Sequence, residues 1–137
     1  INGGNLVTPH LAVKSVSEAD ATAVEFNYEL QSNAIQEKTS LMMKDILRQV
    51  VEEGGGKKAY LEGFSIGGKT ATSQKLPRGS GKYISSFIGF SPVDNAKVIA
   101  MCLIDEPQGI YYGGTIAAPV IRELFENILP YLEIQNN

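Results

Sequence analysis

The sequence predicts an α+β fold in which an antiparallel sheet packs against helices. Three apolar or alternating stretches follow one another through turns too short to hold a crossover helix, so the neighbouring strands must run antiparallel. Two other stretches repeat apolar residues at three- and four-residue spacing, the pattern of a helix with one buried face. The 137 residues have the length of one domain or of part of one.

The first part of the chain is predicted to be extended. Asn2-Gly3-Gly4-Asn5 is a turn signal, and in the extended residues 6–16 Pro9 favours a loop or a sheet edge. Residues 17–23 are small and polar and predict a loop. Residues 24–30 alternate strictly between apolar and polar side chains, which predicts one half-buried strand.

Two amphipathic helices are predicted. The first covers residues 35–51 and ends at Gly54-Gly55-Gly56; Ser32 and Asn33 are its candidate caps, and a start as late as Thr39 is the alternative. The second begins near Thr115, tolerates Pro119 in its first turn and ends at Pro130 and the polar tail. The predicted buried stripes are Ile35, Thr39, Met42, Met43, Ile46, Leu47, Val50 and Val51 in the first helix, and Ile121, Leu124, Phe125, Ile128 and Leu129 in the second.

The three strands of the predicted sheet lie between these helices. A central strand covers residues 64–74, and the turn-rich residues 76–82 lead into a second strand over residues 83–91. The tight turn Pro92-Val93-Asp94-Asn95 leads into a third strand over residues 97–105. The third strand is nearly all apolar, which predicts burial on both of its faces.

Composition and charge exclude several classes of function. Net charge is −3, with 12 basic and 15 acidic residues, so no nucleic-acid partner is expected. No apolar run reaches the length of a membrane helix. The one cysteine, Cys102, excludes an internal disulfide and a multi-cysteine metal site, and it is expected to be a buried apolar residue. The one histidine, His10, leaves no Ser-His-Asp triad and no Cys-His pair within the chain.

The central strand carries a stretch that matches a phosphate-binding loop letter for letter. Residues 63–70, Gly-Phe-Ser-Ile-Gly-Gly-Lys-Thr, fit G-x-x-x-x-G-K-[ST], and Asp105 and Glu106 end an apolar strand. A phosphate loop requires a strand before its first glycine and a helix that starts at Lys69 and Thr70. The hydroxyl-rich residues after Thr70, followed by Pro77 and Gly79, do not predict that helix. A P-loop NTPase is therefore the less favoured alternative.

The same stretch also fits the active-site strand of an acyl-transfer enzyme. Alternate residues of a strand face the same side, which places Thr70 and Thr72 together. Lys69 would supply positive charge to a hydroxyl relay or to an anion, and backbone amides of such a strand can donate to a developing oxyanion. We favour this interpretation.

The chain closely resembles the C-terminal part of the transpeptidase domain of class B penicillin-binding proteins. The segment Gly68-Lys69-Thr70-Ala71-Thr72-Ser73-Gln74 resembles the family's third active-site motif, usually K-T-G-T. Other segments resemble the family in the same order along the chain: Asn2 to Leu11, Glu53 to Ala59, Tyr83 to Pro92, Ile104 to Pro107 and Tyr111 to Val120.

The resemblance implies a role for each matching position. Lys69, Thr70 and Thr72 would be catalytic: Lys69 in the relay, both threonines at the carboxylate of the substrate or β-lactam, and the Thr72 amide in the oxyanion hole. Gln74 would line the cleft. The substrate-binding set would be Gly68, Ala71, Thr72, Ser73 and Gln74, and the resemblance implies no metal and no cofactor.

Two departures from the family pattern bear on activity. Ala71 stands where the family normally has glycine, and its methyl group could narrow the cleft and slow acylation. No S-x-x-K and no S-x-N occurs in the 137 residues. We therefore expect residues 1–137 to be a fragment, the C-terminal portion of a transpeptidase domain, which lacks the nucleophile-bearing part and is inactive alone.

The implied parent is a membrane-anchored D,D-transpeptidase whose extracytoplasmic domain cross-links peptidoglycan. Its ligands would be the peptidoglycan stem peptide and β-lactams, and the fragment's partner would be the N-terminal part of the same domain. Without that part, exposed apolar faces predict self-association of the fragment. The alternative from another class is a catalytically silent module that senses β-lactam or peptidoglycan.

Overall fold

The computed structural model describes residues 1–134 and contains a three-stranded antiparallel sheet with helices, as the sequence predicts. The sheet strands are β5 (Gly67–Gln74), β6 (Tyr83–Ser91) and β7 (Val98–Asp105), in the order β5-β6-β7. The helices are α1 (Glu37–Glu52), α2 (Gly113–Ile116) and α3 (Ala118–Tyr131), and a 3₁₀ turn covers Lys57–Ala59. The α+β prediction is confirmed.

A two-stranded ribbon precedes α1. It consists of the ladder of β1 (Leu6–Val7) with β4 (Leu30–Gln31) and the ladder of β2 (Lys14–Val16) with β3 (Ala23–Glu25). The prediction of one half-buried strand over residues 24–30 is wrong, because the segment divides between two ladders and its side chains stay exposed. Apolar and polar side chains do alternate along this ribbon, but no element within residues 1–134 covers its apolar side.

The core lies on one face of the sheet. Phe87 on β6 is fully buried, and a Cβ added at Gly89 would lie 2.9 Å from Ile121 and 3.2 Å from Phe125, so α3 packs directly on this strand. The core cluster consists of Val51, Ala59, Leu61, Ile66, Phe87, Ala117, Ala118, Ile121, Phe125 and Leu129. Burial of this apolar area is the main force that holds the helices to the sheet.

The opposite face of the sheet is largely exposed. On β7, Ile99, Met101 and Leu103 are 57%, 60% and 56% exposed, while the residues between them are half-buried. The prediction that this strand is buried on both faces is therefore wrong for residues 1–134. Cys102, expected to be buried, is half-buried in this alternation.

Helix α1 packs against β5 and deviates from its predicted stripe. Val51, in its last turn, is in the core, whereas Met42 and Met43, predicted to be buried, are 58% and 43% exposed. The helix begins after Gln36, which makes no side-chain cap. Buried Lys44 donates from Nζ to the carbonyl of Asp94 at 2.7 Å and ties α1 to the turn between β6 and β7.

Several element boundaries differ from the predictions. Strand β5 starts at Gly67 because the amide of Phe64 bonds back to the carbonyl of Leu61 in a turn. The second predicted helix is divided at Ala117 into α2 and α3, and Pro130 lies inside α3, which ends at Tyr131. The last three residues of the predicted polar tail lie outside the described residues. Within residues 1–134, none of the helices has the length and apolar character that crossing a membrane requires.

Candidate active-site strand

All seven residues predicted from the motif lie together on β5. This strand pairs with β6 alone among the described strands, so its other side is an edge of the sheet. The strand forms here because hydroxyl-bearing, partly β-branched residues suit an extended backbone, and Gly67 and Gly68 let Phe90 and Phe87 pack closely. Lys69 and Thr70 lie inside the strand, so the helix start that a phosphate loop requires is not at these residues.

The register divides the motif between the two faces of the sheet. Cross-strand partners share a face, and Thr70 lies opposite Phe87 while Thr72 lies opposite Ser85. The face of Thr70, Thr72 and Gln74 is therefore the one that bears the core. Lys69, Ala71 and Ser73 lie on the opposite face, opposite Ile88, Ser86 and Ile84.

The two threonines line a cavity of about 420 Å³. Thr72 Oγ1 accepts a hydrogen bond from the amide of Gly113 at 3.1 Å, so the start of α2 lies against β5. This approach needs glycine: a Cβ at Gly113 would lie 2.4 Å from the carbonyl oxygen of Ala71. The rest of the lining is Gly55, Lys57, Lys58, Tyr112, Gly114 and Thr115.

Lys69 lies beside a second, apolar cavity of about 190 Å³, which Ile1, Leu47, Gly68, Ile88, Phe90 and Ile99 also line. Its side chain is exposed, and its Nζ donates to the carbonyl of Thr70 at 2.7 Å. The predicted catalytic cation and the two hydroxyls thus lie on opposite faces of β5. A ligand bound along the edge of β5 could contact both Lys69 on one face and the two threonines on the other.

An ionic cluster holds the far end of β5. Lys75 lies 3.0 Å from Asp105 and 2.8 Å from Glu106, and Lys82 lies 3.1 Å from Glu106. Lys75, with a smaller contribution from Lys82, lowers the pKa of Glu106, and Glu106 and Asp105 raise the pKa of Lys75. The cluster joins the loop after β5 to the end of β7, across β6.

Aromatic side chains lie next to this cluster. The rings of Tyr83 and Tyr111 stack at 3.9 Å, and Tyr112 is tilted against Tyr111 at 4.7 Å. Ser85 donates to the carbonyl of Tyr111, which fixes the segment that leads into α2. These contacts bring residues 111–115 to β5.

The motif on β5 does not predict that Lys57, Lys58, Tyr112 and Thr115 belong to the site. In the sequence, these residues belong to two glycine-containing runs, Gly-Gly-Gly-Lys-Lys and Tyr-Tyr-Gly-Gly-Thr, which both lie in segments that resemble the family. Within residues 1–134, no group of three or more His, Cys, Asp or Glu side chains is placed to hold a metal ion.

Comparison with known proteins gives a consistent result. The family model described as the penicillin-binding protein transpeptidase domain matches residues 1–126. Stage V sporulation protein D of Bacillus subtilis is 36% identical over 140 residues, which cover 98% of this chain and 22% of that protein. The probable peptidoglycan D,D-transpeptidase PenA of Neisseria flavescens is 37% identical over 105 residues, covering 73% of this chain and 26% of that protein. The chain therefore spans about a quarter of the length of these curated relatives.

Solved structures agree on the fold. Penicillin-binding protein 3 of Mycobacterium tuberculosis, complexed with ampicillin, superposes with a TM-score of 0.83 at 22% identity, over 98% of this chain and 33% of that one. The transpeptidase domain of the FtsI4 D,D-transpeptidase of Legionella pneumophila has a TM-score of 0.62 at 31% identity, over 69% of this chain and 37% of that one.

Proposed function

Because the chain belongs to the penicillin-binding protein transpeptidase family, we propose that residues 1–137 are the C-terminal portion of a transpeptidase domain that cross-links peptidoglycan. The observation that supports this most directly is the position of Thr70 and Thr72. They share one face of an edge strand and open into a cavity next to the glycine-rich start of α2.

The proposed reaction is acyl transfer through a serine that lies elsewhere in the parent polypeptide. The serine oxygen attacks the carbonyl between the last two residues of a D-Ala-D-Ala stem peptide, and its proton passes to the leaving amine. The C–N bond breaks, terminal D-alanine departs and an acyl-enzyme ester remains. An amine of a neighbouring strand then attacks the ester, and the serine regains a proton.

Strand β5 would contribute binding and electrostatic stabilisation to this reaction. The hydroxyls of Thr70 and Thr72 would hold the ligand carboxylate, Lys69 would contribute positive potential on the other side of the strand, and the Thr72 amide would donate to the oxyanion. Preorganised donors of this kind commonly supply the largest single part of catalysis. The ligand would lie along the edge of the strand, in contact with Gly68, Ala71, Ser73 and Gln74.

The proposal is tested on the full-length parent. It is incubated with benzylpenicillin, its intact mass is recorded and the adduct is mapped. A stoichiometric adduct on a serine outside residues 1–137 is the expected result. The 137-residue chain alone should take up no penicillin, since S-x-x-K does not occur in it. An adduct on the chain alone would contradict the assignment of the nucleophile.

A catalytically silent sensor module on the same fold is the second candidate, and Ala71 in place of glycine is the observation that favours it. A sensor would bind β-lactam or peptidoglycan with slow or absent turnover. Retained binding of benzylpenicillin without an adduct would favour this second candidate.

A further inference from the structure

The cavity beside Thr70 and Thr72 carries an unbalanced positive charge. Among the described residues that line it, Lys57 and Lys58 alone are charged, and none is an aspartate or a glutamate. Both lysines are exposed, and neither belongs to the ion pairs found within residues 1–134. Two cations without a protein counter-charge attract an anion, and the surrounding cavity wall strengthens that attraction.

The lysines are held at the site by the short connector that follows α1, residues 53–59. Gly56 is buried, and a Cβ there would lie 3.0 Å from Phe87, so the chain after α1 packs closely on the sheet. It then forms the 3₁₀ turn Lys57–Ala59. The Nζ of Lys58 lies 3.5 Å from the carbonyl oxygen of Thr115, on the α2 side of the cavity. A Cβ at Gly114 would lie 2.2 Å from the carbonyl oxygen of Gly55, which shows that the connector and α2 are in contact.

The chemistry of the remaining lining fits a carboxylate. The hydroxyls of Thr70, Thr72 and Thr115 can donate hydrogen bonds to its oxygens, and lysine provides a mobile point charge. Lys69, the cation within the motif, lies on the opposite face of β5 and its Nζ is directed at the carbonyl of Thr70. The cations on the side of the two threonines are therefore Lys57 and Lys58.

We propose that Lys57 and Lys58 supply the counter-charge for the ligand carboxylate that Thr70 and Thr72 bind. The inference rests on the proposed function and assigns to the connector after α1 a role in ligand recognition. The carboxylate can belong to a D-Ala-D-Ala peptide or to a β-lactam, and the two arms of the test separate these sources.

The first arm measures acylation of the full-length parent by benzylpenicillin and by its uncharged methyl ester. The variant is Lys57→Gln with Lys58→Gln. The control is Lys38→Gln with Lys97→Gln, which removes two exposed lysines outside the cavity and changes net charge equally. We expect the preference for the carboxylate over the ester to fall about tenfold in the variant, as the loss of two exposed charge contacts implies, and to stay unchanged in the control.

The second arm measures equilibrium binding of an N-acetylated D-alanyl-D-alanine peptide with a free C-terminal carboxylate and of the same peptide with a C-terminal amide. It needs no acylation, so it reports on the inference even where benzylpenicillin forms no adduct and the proposed reaction fails. A carboxylate preference that falls in the variant in either arm supports the inference for that ligand.

Two results would overturn it. An unchanged preference in both arms would show that the lysines take no part in carboxylate recognition. An equal fall for charged and uncharged ligands would assign them a structural role only.

Discussion

The amide of Gly113 donates a hydrogen bond to the hydroxyl of Thr72 at 3.1 Å, across 41 residues of sequence. This bond joins the first residue of α2 to the middle of β5, and the two segments thereby form opposite walls of one cavity. The position of the Thr72 hydroxyl therefore depends on how closely α2 approaches the sheet.

Replacement of Gly113 by alanine is expected to destabilise the protein. The new Cβ would lie 2.3 Å from the carbonyl oxygen of Ser86 and 2.4 Å from that of Ala71, and backbone atoms cannot move away as a flexible side chain can. Overpacking of this kind costs about 2 kcal/mol, which urea unfolding of Gly113→Ala would measure. Gly55→Ala is the matched control, since its Cβ meets no atom within 4 Å. Equal stability of the two variants would contradict the tight approach of α2.

Replacement of Ala71 by glycine is expected to speed acylation of the parent several-fold. Ala71 is exposed on the same face of β5 as Lys69, and its methyl group would occupy space beside a ligand at the strand edge. The measurement is the rate of labelling by a fluorescent penicillin. Ala100→Gly, the same change inside β7 and outside the site, controls for the loss of about 1 kcal/mol that glycine causes within a strand. Labelling of Ala71→Gly no faster than the original would reject this role for the methyl group.

The ionic cluster at Glu106 is expected to make stability depend on pH. The pKa of Glu106 is lowered from 4.5, chiefly by Lys75. The stabilisation is therefore fully present above pH 4.5 and is lost as the pH falls through the lower folded-state pKa, because the unfolded state then binds the proton more readily. Urea unfolding of the original and of Glu106→Gln at pH 3 to 7 should give curves that converge at the acid end.

Glu126→Gln provides the control for this pH dependence, since Glu126 is exposed on α3 and forms none of the ion pairs described within residues 1–134. Its curve should stay parallel to the original. A Glu106→Gln curve that is also parallel throughout would show that the cluster contributes no differential protonation.

The isolated chain is expected to self-associate through the outer face of β7. Ile99, Met101 and Leu103 form an exposed apolar row on β7, which is the edge strand opposite β5 among the described strands. Exposed edges and apolar patches of this kind promote pairing between copies. Sedimentation velocity should show concentration-dependent association that Met101→Lys reduces. The control is Leu76→Lys, at a loop position that is 83% exposed, and a chain that remains monomeric at high concentration would refute the prediction.

Local patterns predicted the sheet better than its surroundings. The alternation over residues 83–91 gave β6 with both ends correct, and the turn at residues 92–95 implied the antiparallel pairing that the structure shows. The apolar run of β7 predicted the strand correctly but not its exposure. Such a run indicates that both faces of the strand favour an apolar environment, and it does not show whether another element covers them. Residues 1–134 contain no element that covers the outer face. The exposure of Met42 and Met43 on α1 has the same explanation.

The candidate site was predicted only where it is contiguous in sequence. Lys69, Thr70 and Thr72 follow from a single motif, but its strand, predicted to be central, lies at an edge among the described strands. Lys57 and Thr115 reach the same cavity through the packing of the connector and α2 on β5, which is a tertiary contact that no local spacing encodes. Strand alternation alone predicts that Lys69 and the two threonines point to opposite faces of β5. Which of these faces bears the core is shown only by the structure.

The alternation of β5 also limits how the sequence of this strand can change during evolution. One inserted or deleted residue between Gly67 and Gln74 would exchange the two faces, turning the threonines away from their cavity and Lys69 towards the core side. Substitution of a residue leaves the alternation intact. Tolerated changes of length should therefore be confined to the exposed loop at residues 76–82, where related chains can differ in size without altering the order of side chains along the strand.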